Sequence, residues 1–213
     1  MYNVVLFDLD GTLTDPGEGI TNSVAYALKT FDIEVSDRTQ LYKFIGPPLK
    51  DSFSKYYSLS EADCEKAIFE YRVYFKEKGM FENSVYSNVP EVLQKLKDEG
   101  KRLIIATSKP EEFAVTILKH FDLYKYFDSV CGASMDGKRS IKGDVIKYAL
   151  NKCSITDLNK TVMIGDRKHD IIGAKSVGID SIGVLYGYGN LDELKSAGAT
   201  YIAQEVNDIL KYI

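Results

Sequence analysis

The residues best suited to chemistry in this sequence are Asp8 and Asp10, which follow the apolar run Val4–Phe7 and flank a single leucine. Two carboxylates this close repel each other unless a cation or a proton lies between them. In an open parallel sheet, ligands bind beyond the carboxyl ends of the strands. If the apolar run is a strand of such a sheet, the pair predicts a reactive site. An aspartate that caps a helix or a turn is the alternative for either residue alone.

A second acidic pair follows the apolar run Val162–Ile164. Asp166 comes just after this run, and Asp170 lies about one helical turn later, where it could face the same way. Either residue alone could instead cap the helix that follows. Three or four carboxylates on one rim form an oxygen-ligand site for a hard cation, and Mg²⁺ is the cation that we expect there.

Hydroxyl groups and a lysine accompany these carboxylates. Thr107 and Ser108 follow the apolar run Leu103–Ala106, and Lys142 begins a later amphipathic segment. Hydroxyls and amides at a helix N-terminus bind anions, and a lysine adds positive charge. With a metal to offset the repulsion between phosphate and carboxylate, this set is typical of phosphoryl transfer. A carboxylate can then act as nucleophile and split hydrolysis into two steps through an acyl phosphate.

The elements that must position these residues follow an alternating pattern. Short β-branched runs alternate with amphipathic segments, which predicts an α/β fold with a parallel sheet and crossover helices. Because the runs are apolar throughout, we expect both faces of the strands to be buried. The predicted strands are Val4–Phe7, Leu103–Ala106, Ser129–Cys131, Val162–Ile164, Ser181–Leu185 and, more weakly, Tyr201–Ile202.

Between the first and second predicted strands the pattern changes. Residues 15–83 carry no convincing strand, and the apolar spacing predicts helices, one of them from Ser60 to Gly79. This segment holds twelve of the 25 Phe and Tyr residues, either as the core of a small helical bundle or as the lining of a pocket. We therefore predict an α/β core of residues 1–14 and 84–213, and a separate helical domain of residues 15–83.

Composition excludes several classes of protein. The chain has 213 residues, 45% of them hydrophobic and 27% charged, which is ordinary for a globular protein. Its net charge of −4 provides no basic stripe for a nucleic-acid polymer or an anionic membrane. Three cysteines are too few for a disulfide framework and suit a reducing compartment. No apolar run has the length of a signal peptide or a membrane span, so we expect a cytoplasmic protein.

Taken together, the acidic, hydroxyl and lysine positions resemble the four motifs of the haloacid dehalogenase-like superfamily, in order and spacing and across essentially the whole chain. The residues that carry this resemblance are Asp8-Leu9-Asp10-Gly11-Thr12, Thr107, Lys142, and Gly165-Asp166 with Asp170. The helical segment resembles the cap domain of phosphoglycolate phosphatase and β-phosphoglucomutase. Three stretches are most similar to phosphoglycolate phosphatase-like and 5′-nucleotidase-like members: Ser108-Lys109-Pro110, Asp136-Gly137-Lys138-Arg139 and Gly46-Pro47-Pro48-Leu49.

The resemblance implies a Rossmann-like parallel core with an inserted helical cap. It implies a Mg²⁺-dependent phosphatase that hydrolyses a small phosphomonoester, phosphoglycolate-like or nucleoside-monophosphate-like, through an aspartyl phosphate. Asp8 is then the nucleophile, Asp10 the general acid and base, and Lys142 the cation that neutralises charge in the transition state.

The resemblance also implies the ligands. The metal would be held by Asp8, by the backbone carbonyl of Asp10 and by Asp166, with Asp170 orienting a ligand or a bound water. The phosphoryl oxygens would be held by the three residues Thr107, Ser108 and Lys109.

Several alternatives stay open at this level. The same residues suit a phosphomutase of the β-phosphoglucomutase type, and a non-catalytic binding protein can share the fold. Lys138 competes with Lys142 for the lysine role, and Lys109 and Arg139 either touch the substrate or flank the site. Gly187-Tyr188-Gly189 either borders the site or forms an ordinary turn. The sequence does not distinguish a monomer from a homodimer, nor one small phosphorylated metabolite from another.

Overall fold

A six-stranded parallel sheet organises the larger of two compact units, which comprise residues 1–14 with 85–213 and residues 15–84. The computed structural model describes residues 1–213. In the order β5-β4-β1-β6-β7-β8, the strands are β1 (Val4–Phe7), β4 (Arg102–Pro110), β5 (Ser129–Ala133), β6 (Thr161–Gly165), β7 (Asp180–Val184) and β8 (Tyr201–Ala203). The predicted α/β fold with a parallel sheet is confirmed.

The strand β1 lies at the centre of this sheet, between β4 and β6. Phe7 pairs with Ile105 of β4 on one side and with Ile164 of β6 on the other. All three strands run in parallel, so the residues that follow these pairs emerge at the same edge of the sheet. The β4 ladder is irregular between Ala106 and Pro110, which redirects the side chains of that segment.

Helices of the larger unit are α4 (Val89–Asp98), α5 (Glu111–His120), α6 (Lys142–Lys152), α7 (Lys168–Val177) and α8 (Leu191–Ala197). The apolar faces of α6 and α7 pack on the sheet in one buried cluster. That cluster joins Leu6 of β1 and Met163 of β6 to Val145, Ile146 and Ala174 of the two helices. Each of the four larger side chains contributes about 1.5–3 kcal/mol on full burial, which holds the first turns of both helices beside the strand ends.

The smaller unit is helical, with α1 (Gly17–Lys29), α2 (Leu49–Tyr57) and α3 (Glu61–Tyr74), which a π-helical turn extends over Phe75–Gly79. The helix predicted to start at Ser60 is present: Ser60 caps α3, and its hydroxyl accepts a hydrogen bond from the Asp63 amide at 3.2 Å. Phe44 and Phe53 are buried with ring centroids 5.0 Å apart. These two aromatic side chains therefore belong to the core of the unit.

Two short strands, β2 (Thr14–Asp15) and β3 (Ser84–Val85), pair with each other where the chain passes from one unit to the other. At two residues each, they are too short to leave a periodic signal in the sequence. No helix of the chain has both the length and the apolar character needed to cross a bilayer.

Candidate active site

Asp8 follows the central strand directly, and its backbone continues the ladder. Its amide donates to the Ile164 carbonyl at 2.9 Å, and its Oδ1 accepts from the Leu9 amide at 2.8 Å. The side chain is buried, so the carboxylate has little water to solvate it. A buried carboxylate in this position requires nearby positive charge.

Asp166 follows β6 and faces the same edge of the sheet. Its Oδ2 accepts a 2.7 Å hydrogen bond from the Tyr188 amide, whereas its buried Oδ1 accepts none. Gly11 lies against this carboxylate with φ +79°, and a Cβ at Gly11 would be 2.2 Å from Asp166 Oδ2. Both the backbone conformation and the close approach therefore require glycine at this position.

Asp170 lies in the first turn of α7 and is buried. Its Oδ2 accepts a hydrogen bond from the Arg167 amide at 3.0 Å, at the N-terminus of the helix. Gly165 leaves room for it, since a Cβ there would be 2.2 Å from the Asp170 Cγ. The glycine that precedes Asp166 in the sequence thus allows the two carboxylates to approach.

Asp8, Asp166 and Asp170 form one carboxylate cluster, in which an oxygen from each lies within 4.8 Å of the others. Burial raises the pKa of Asp170 to about 6, with the Asp8 carboxylate adding to the effect and Lys142 opposing it. Burial and the carboxylates of Asp170 and Asp8 also raise the pKa of Asp166 well above its usual value. The cluster is therefore short of positive charge.

Such a cluster fits a divalent cation. Its donors are all carboxylate oxygens, the set that hard cations prefer, and Asp166 Oδ1 is a buried oxygen with no hydrogen-bond donor of its own. A bound cation would satisfy that oxygen and relieve the repulsion among the three carboxylates.

Lys142 supplies a fixed positive charge beside the cluster. It is the first residue of α6, and its buried Nζ lies 2.9 Å from Asp8 Oδ1 and 2.8 Å from Asp170 Oδ1. The same Nζ donates a hydrogen bond to the Ala106 carbonyl at 3.0 Å. Burial lowers the pKa of Lys142, but the Asp170 and Asp8 carboxylates outweigh this and raise it overall. Lys138, the competing lysine, is 87% exposed and pairs with Asp136.

The irregular end of β4 carries the three residues predicted to bind phosphate. Thr107 is buried, and its Oγ1 accepts a hydrogen bond from the Lys109 amide at 3.2 Å. Ser108 is half-buried. Lys109 points to Asp10, and its Nζ lies 2.8 Å from Oδ1 and 2.7 Å from Oδ2 of that residue.

The Asp10 side chain therefore forms an ion pair with Lys109 and is not part of the carboxylate cluster. Burial raises the pKa of Asp10, and the Lys109 ammonium opposes that rise. A carboxyl with a raised pKa suits proton donation. Participation of the Asp10 backbone carbonyl in metal binding stays a prediction.

The loop after β7 borders the site, through more residues than the sequence indicated. Beyond the Tyr188 amide on Asp166, Gly187 lies so close that a Cβ would be 2.2 Å from the Gly11 carbonyl oxygen and 2.4 Å from the Asp166 Cβ. The Tyr186 hydroxyl donates to the Thr12 carbonyl at 3.0 Å, a contact that no local sequence pattern indicates.

Arg139 contacts residues of β5 and α6. Its guanidinium stacks 3.7 Å from the ring centroid of Tyr148, and its Nε donates to the Gly132 carbonyl at 3.0 Å. These contacts attach the loop before Lys142 to β5 and α6.

In the smaller unit, Gly46 adopts φ +101° ahead of Pro47 and Pro48, and α2 begins at Leu49.

Comparison with known proteins identifies the class of this fold and site. A family model described as haloacid dehalogenase-like hydrolase matches residues 5–184. A 5′-nucleotidase of Pseudomonas aeruginosa is 42% identical over 205 residues, 96% of this chain and 92% of that protein. The tyrosine-protein kinase PtkA of Mycobacterium tuberculosis is 37% identical over 199 residues, 93% of this chain and 67% of that protein.

Solved structures agree with these sequence matches. The crystal structure of a predicted phosphatase from Clostridium acetobutylicum superposes with a TM-score of 0.96 at 54% identity, and the match covers 99% of this chain and 97% of that one. The chain belongs to the haloacid dehalogenase-like hydrolases. The family and the enzyme class that the sequence predicted, a phosphoric monoester hydrolase, are both confirmed.

Proposed function

We propose that this hydrolase is a Mg²⁺-dependent phosphatase that cleaves a small phosphomonoester through an aspartyl phosphate on Asp8. The observation that carries the proposal is the buried Asp8 carboxylate, which shares a cluster with Asp166 and Asp170 and pairs with Lys142 at 2.9 Å. A carboxylate can attack a dianionic phosphate only where cations offset the repulsion between them. The lysine and the metal-binding carboxylates meet that requirement around one nucleophile.

In the first half-reaction, Asp8 Oδ2 attacks phosphorus while Oδ1 is held by the Leu9 amide and Lys142. The bond between phosphorus and the ester oxygen breaks, and Asp10 donates its proton to the departing alcohol. In the second half-reaction, Asp10 takes a proton from a water that attacks phosphorus. The phosphate then leaves, and Asp8 returns to its free carboxylate.

The metal site would be formed by the carboxylates of Asp8, Asp166 and Asp170 and the backbone carbonyl of Asp10. When bound there, Mg²⁺ would neutralise charge on the phosphoryl group and on the nucleophile. Within this chain, Lys142 orients Asp8 and Asp170, and the Tyr188 amide fixes one oxygen of Asp166 so that the other is available.

Substrate recognition is divided between two regions in this proposal. Thr107 and Ser108 hold the phosphoryl oxygens, together with backbone amides of the irregular end of β4. Residues 1–14 and 84–213 form the catalytic core, and the helical residues 15–83 act as a cap that selects the alcohol. The substrate is a small phosphorylated metabolite of the phosphoglycolate or nucleoside-monophosphate type. The 42% sequence identity with a 5′-nucleotidase supports a nucleoside monophosphate.

The test is phosphate release from p-nitrophenyl phosphate, 2-phosphoglycolate and nucleoside monophosphates, with Mg²⁺ and with EDTA. We expect Mg²⁺-dependent release that Asp8→Asn abolishes. Asp144→Asn, which removes an exposed carboxylate near the start of α6, is the matched control and should retain activity. Release that persists in EDTA or in Asp8→Asn contradicts the proposal. Transfer of phosphate to an added sugar phosphate instead of water supports the phosphomutase alternative.

A further inference from the structure

Lys109 is a buried lysine whose ammonium contacts the Asp10 carboxylate. Its Nζ contacts both oxygens of Asp10, at 2.8 and 2.7 Å, and the two side chains are only 5% and 13% exposed. The contact joins residues 99 positions apart, across the neighbouring strands β1 and β4. An ion pair that holds both oxygens restricts the position and the rotation of the carboxyl group together.

The two aspartates of the first motif therefore have separate lysines. Lys142 contacts Asp8, and Lys109 contacts Asp10. A buried ion pair is weak support for stability, since the desolvation of both charges offsets most of the attraction. A chemical role for the pair is therefore a better explanation of a lysine at position 109 than a stabilising one.

The backbone of Lys109 adds a second connection. Its amide donates to the hydroxyl of Thr107 at 3.2 Å, so the residue links a proposed phosphate-binding hydroxyl to the proposed acid. Because Thr107 and Lys109 lie in the irregular part of β4, the bulged backbone places one side chain for the phosphate and the other for Asp10.

We propose that Lys109 is a positioning residue that holds the carboxyl group of Asp10 in line with the oxygen of the departing alcohol. This inference rests on the proposed function, in which Asp10 protonates that oxygen as its bond to phosphorus breaks. Lys109 itself transfers no proton and forms no covalent bond. Its contribution should therefore depend on how much the leaving alcohol needs a proton.

Leaving groups provide the test, because p-nitrophenolate departs without protonation whereas an alkoxide does not. We would measure kcat/KM, which reports phosphoryl transfer to Asp8, for p-nitrophenyl phosphate and for alkyl phosphates. General acid catalysis typically contributes about 10²–10⁴-fold. For Lys109→Met we expect a loss of about 10–100-fold on alkyl phosphates and of less than about 3-fold on p-nitrophenyl phosphate.

Two further variants keep the test decisive. Lys109→Arg retains the charge in a different geometry, and we expect an intermediate loss on alkyl phosphates. If Lys109→Met does not fold, the leaving-group dependence of Lys109→Arg against the unmodified enzyme decides the question. Lys101→Met is the matched control, since Lys101 is an equally buried lysine that precedes β4 and donates to the Tyr2 carbonyl at 2.8 Å. It should leave the leaving-group dependence unchanged.

Each outcome has one meaning. A selective loss on alkyl phosphates supports the positioning role of Lys109. Equal losses on both kinds of ester, through a higher KM, overturn it and favour direct contact between Lys109 and the substrate phosphate. Equal activity of Lys109→Met and the unmodified enzyme on every ester also overturns it. Absence of phosphatase activity in the unmodified enzyme contradicts the proposed function itself, and so the two failures are distinguishable.

Discussion

Replacing Gly187 by alanine tests how the loop after β7 positions Asp166, the carboxylate that we propose as a metal ligand. The added Cβ would be 2.2 Å from the Gly11 carbonyl oxygen, 2.4 Å from the Asp166 Cβ and 2.6 Å from its Oδ2. Carbon and oxygen atoms in contact prefer a separation of about 3.5 Å, so the loop or Asp166 must shift by roughly 1 Å. Either shift disturbs the 2.7 Å hydrogen bond from the Tyr188 amide to Asp166.

The magnitude follows from these contacts. Overpacking of a buried site costs about 1–3 kcal/mol, and a weakened hydrogen bond to a carboxylate adds about 1.5 kcal/mol. We therefore expect Gly187→Ala to lower the free energy of unfolding by about 2.5–4.5 kcal/mol. A displacement of roughly 1 Å at a catalytic constellation costs about 100-fold in rate, and loss of an orienting contact costs about 10–100-fold in metal affinity.

Two assays separate the effect on the site from a general loss of stability. Isothermal titration calorimetry gives the Mg²⁺ affinity, and phosphate release over a Mg²⁺ titration gives the activity. Gly178→Ala is the control, because Gly178 ends α7 with φ +79° and open space around it, so that alanine there costs about 1–2 kcal/mol without touching the site. If folded Gly187→Ala binds Mg²⁺ and releases phosphate as well as Gly178→Ala does, the loop after β7 does not position Asp166 in this way.

Three further predictions concern the lysine beside the cluster, the metal and a buried cysteine. Lys142→Met should lower activity by about 10²–10³-fold and should also lower the melting temperature. Added Mg²⁺ should partly restore the melting temperature, because it replaces the positive charge lost beside Asp8. Mg²⁺ at about 100 times its Kd should stabilise the unmodified protein by about 2.7 kcal/mol in thermal unfolding, and Asp166→Asn should remove that gain. Burial raises the pKa of Cys131 to about 11. Its thiolate is therefore about one part in a thousand at pH 8 and increases only as pH approaches 11, so peptide mapping after iodoacetamide treatment should show the half-exposed Cys153 modified well before Cys131.

Residues that follow strands could be predicted from the sequence, because a local pattern fixes their place. The apolar runs before Asp8 and Asp166 marked two strands, and parallel pairing brings their carboxyl ends to one edge. Strand limits were less certain. The run predicted at 181–185 forms β7 at Asp180–Val184, since the ladder with β6 sets its ends and local hydrophobicity does not.

Contacts between distant residues could not be predicted in this way. Lys142 lies at the start of α6 and Lys138 in the loop before it. Which of the two side chains points into the protein is decided by the packing of the whole fold, and a local pattern does not show it. The same holds for the pair formed by Lys109 and Asp10, which depends on the irregular register of β4. Tyr186 reaches the Thr12 carbonyl across 174 positions, and nothing in its neighbourhood in the sequence signals that contact.

Whether hydrolysis passes through a phosphorylated Asp8 can be determined from the stereochemical course of the reaction at phosphorus. A phosphomonoester made chiral with sulfur and oxygen isotopes would be hydrolysed in isotopically labelled water, and the configuration of the released thiophosphate determined. Attack by Asp8 followed by attack of water inverts phosphorus twice, so we expect net retention. Net inversion would show a single direct attack by water and would contradict the aspartyl-phosphate proposal.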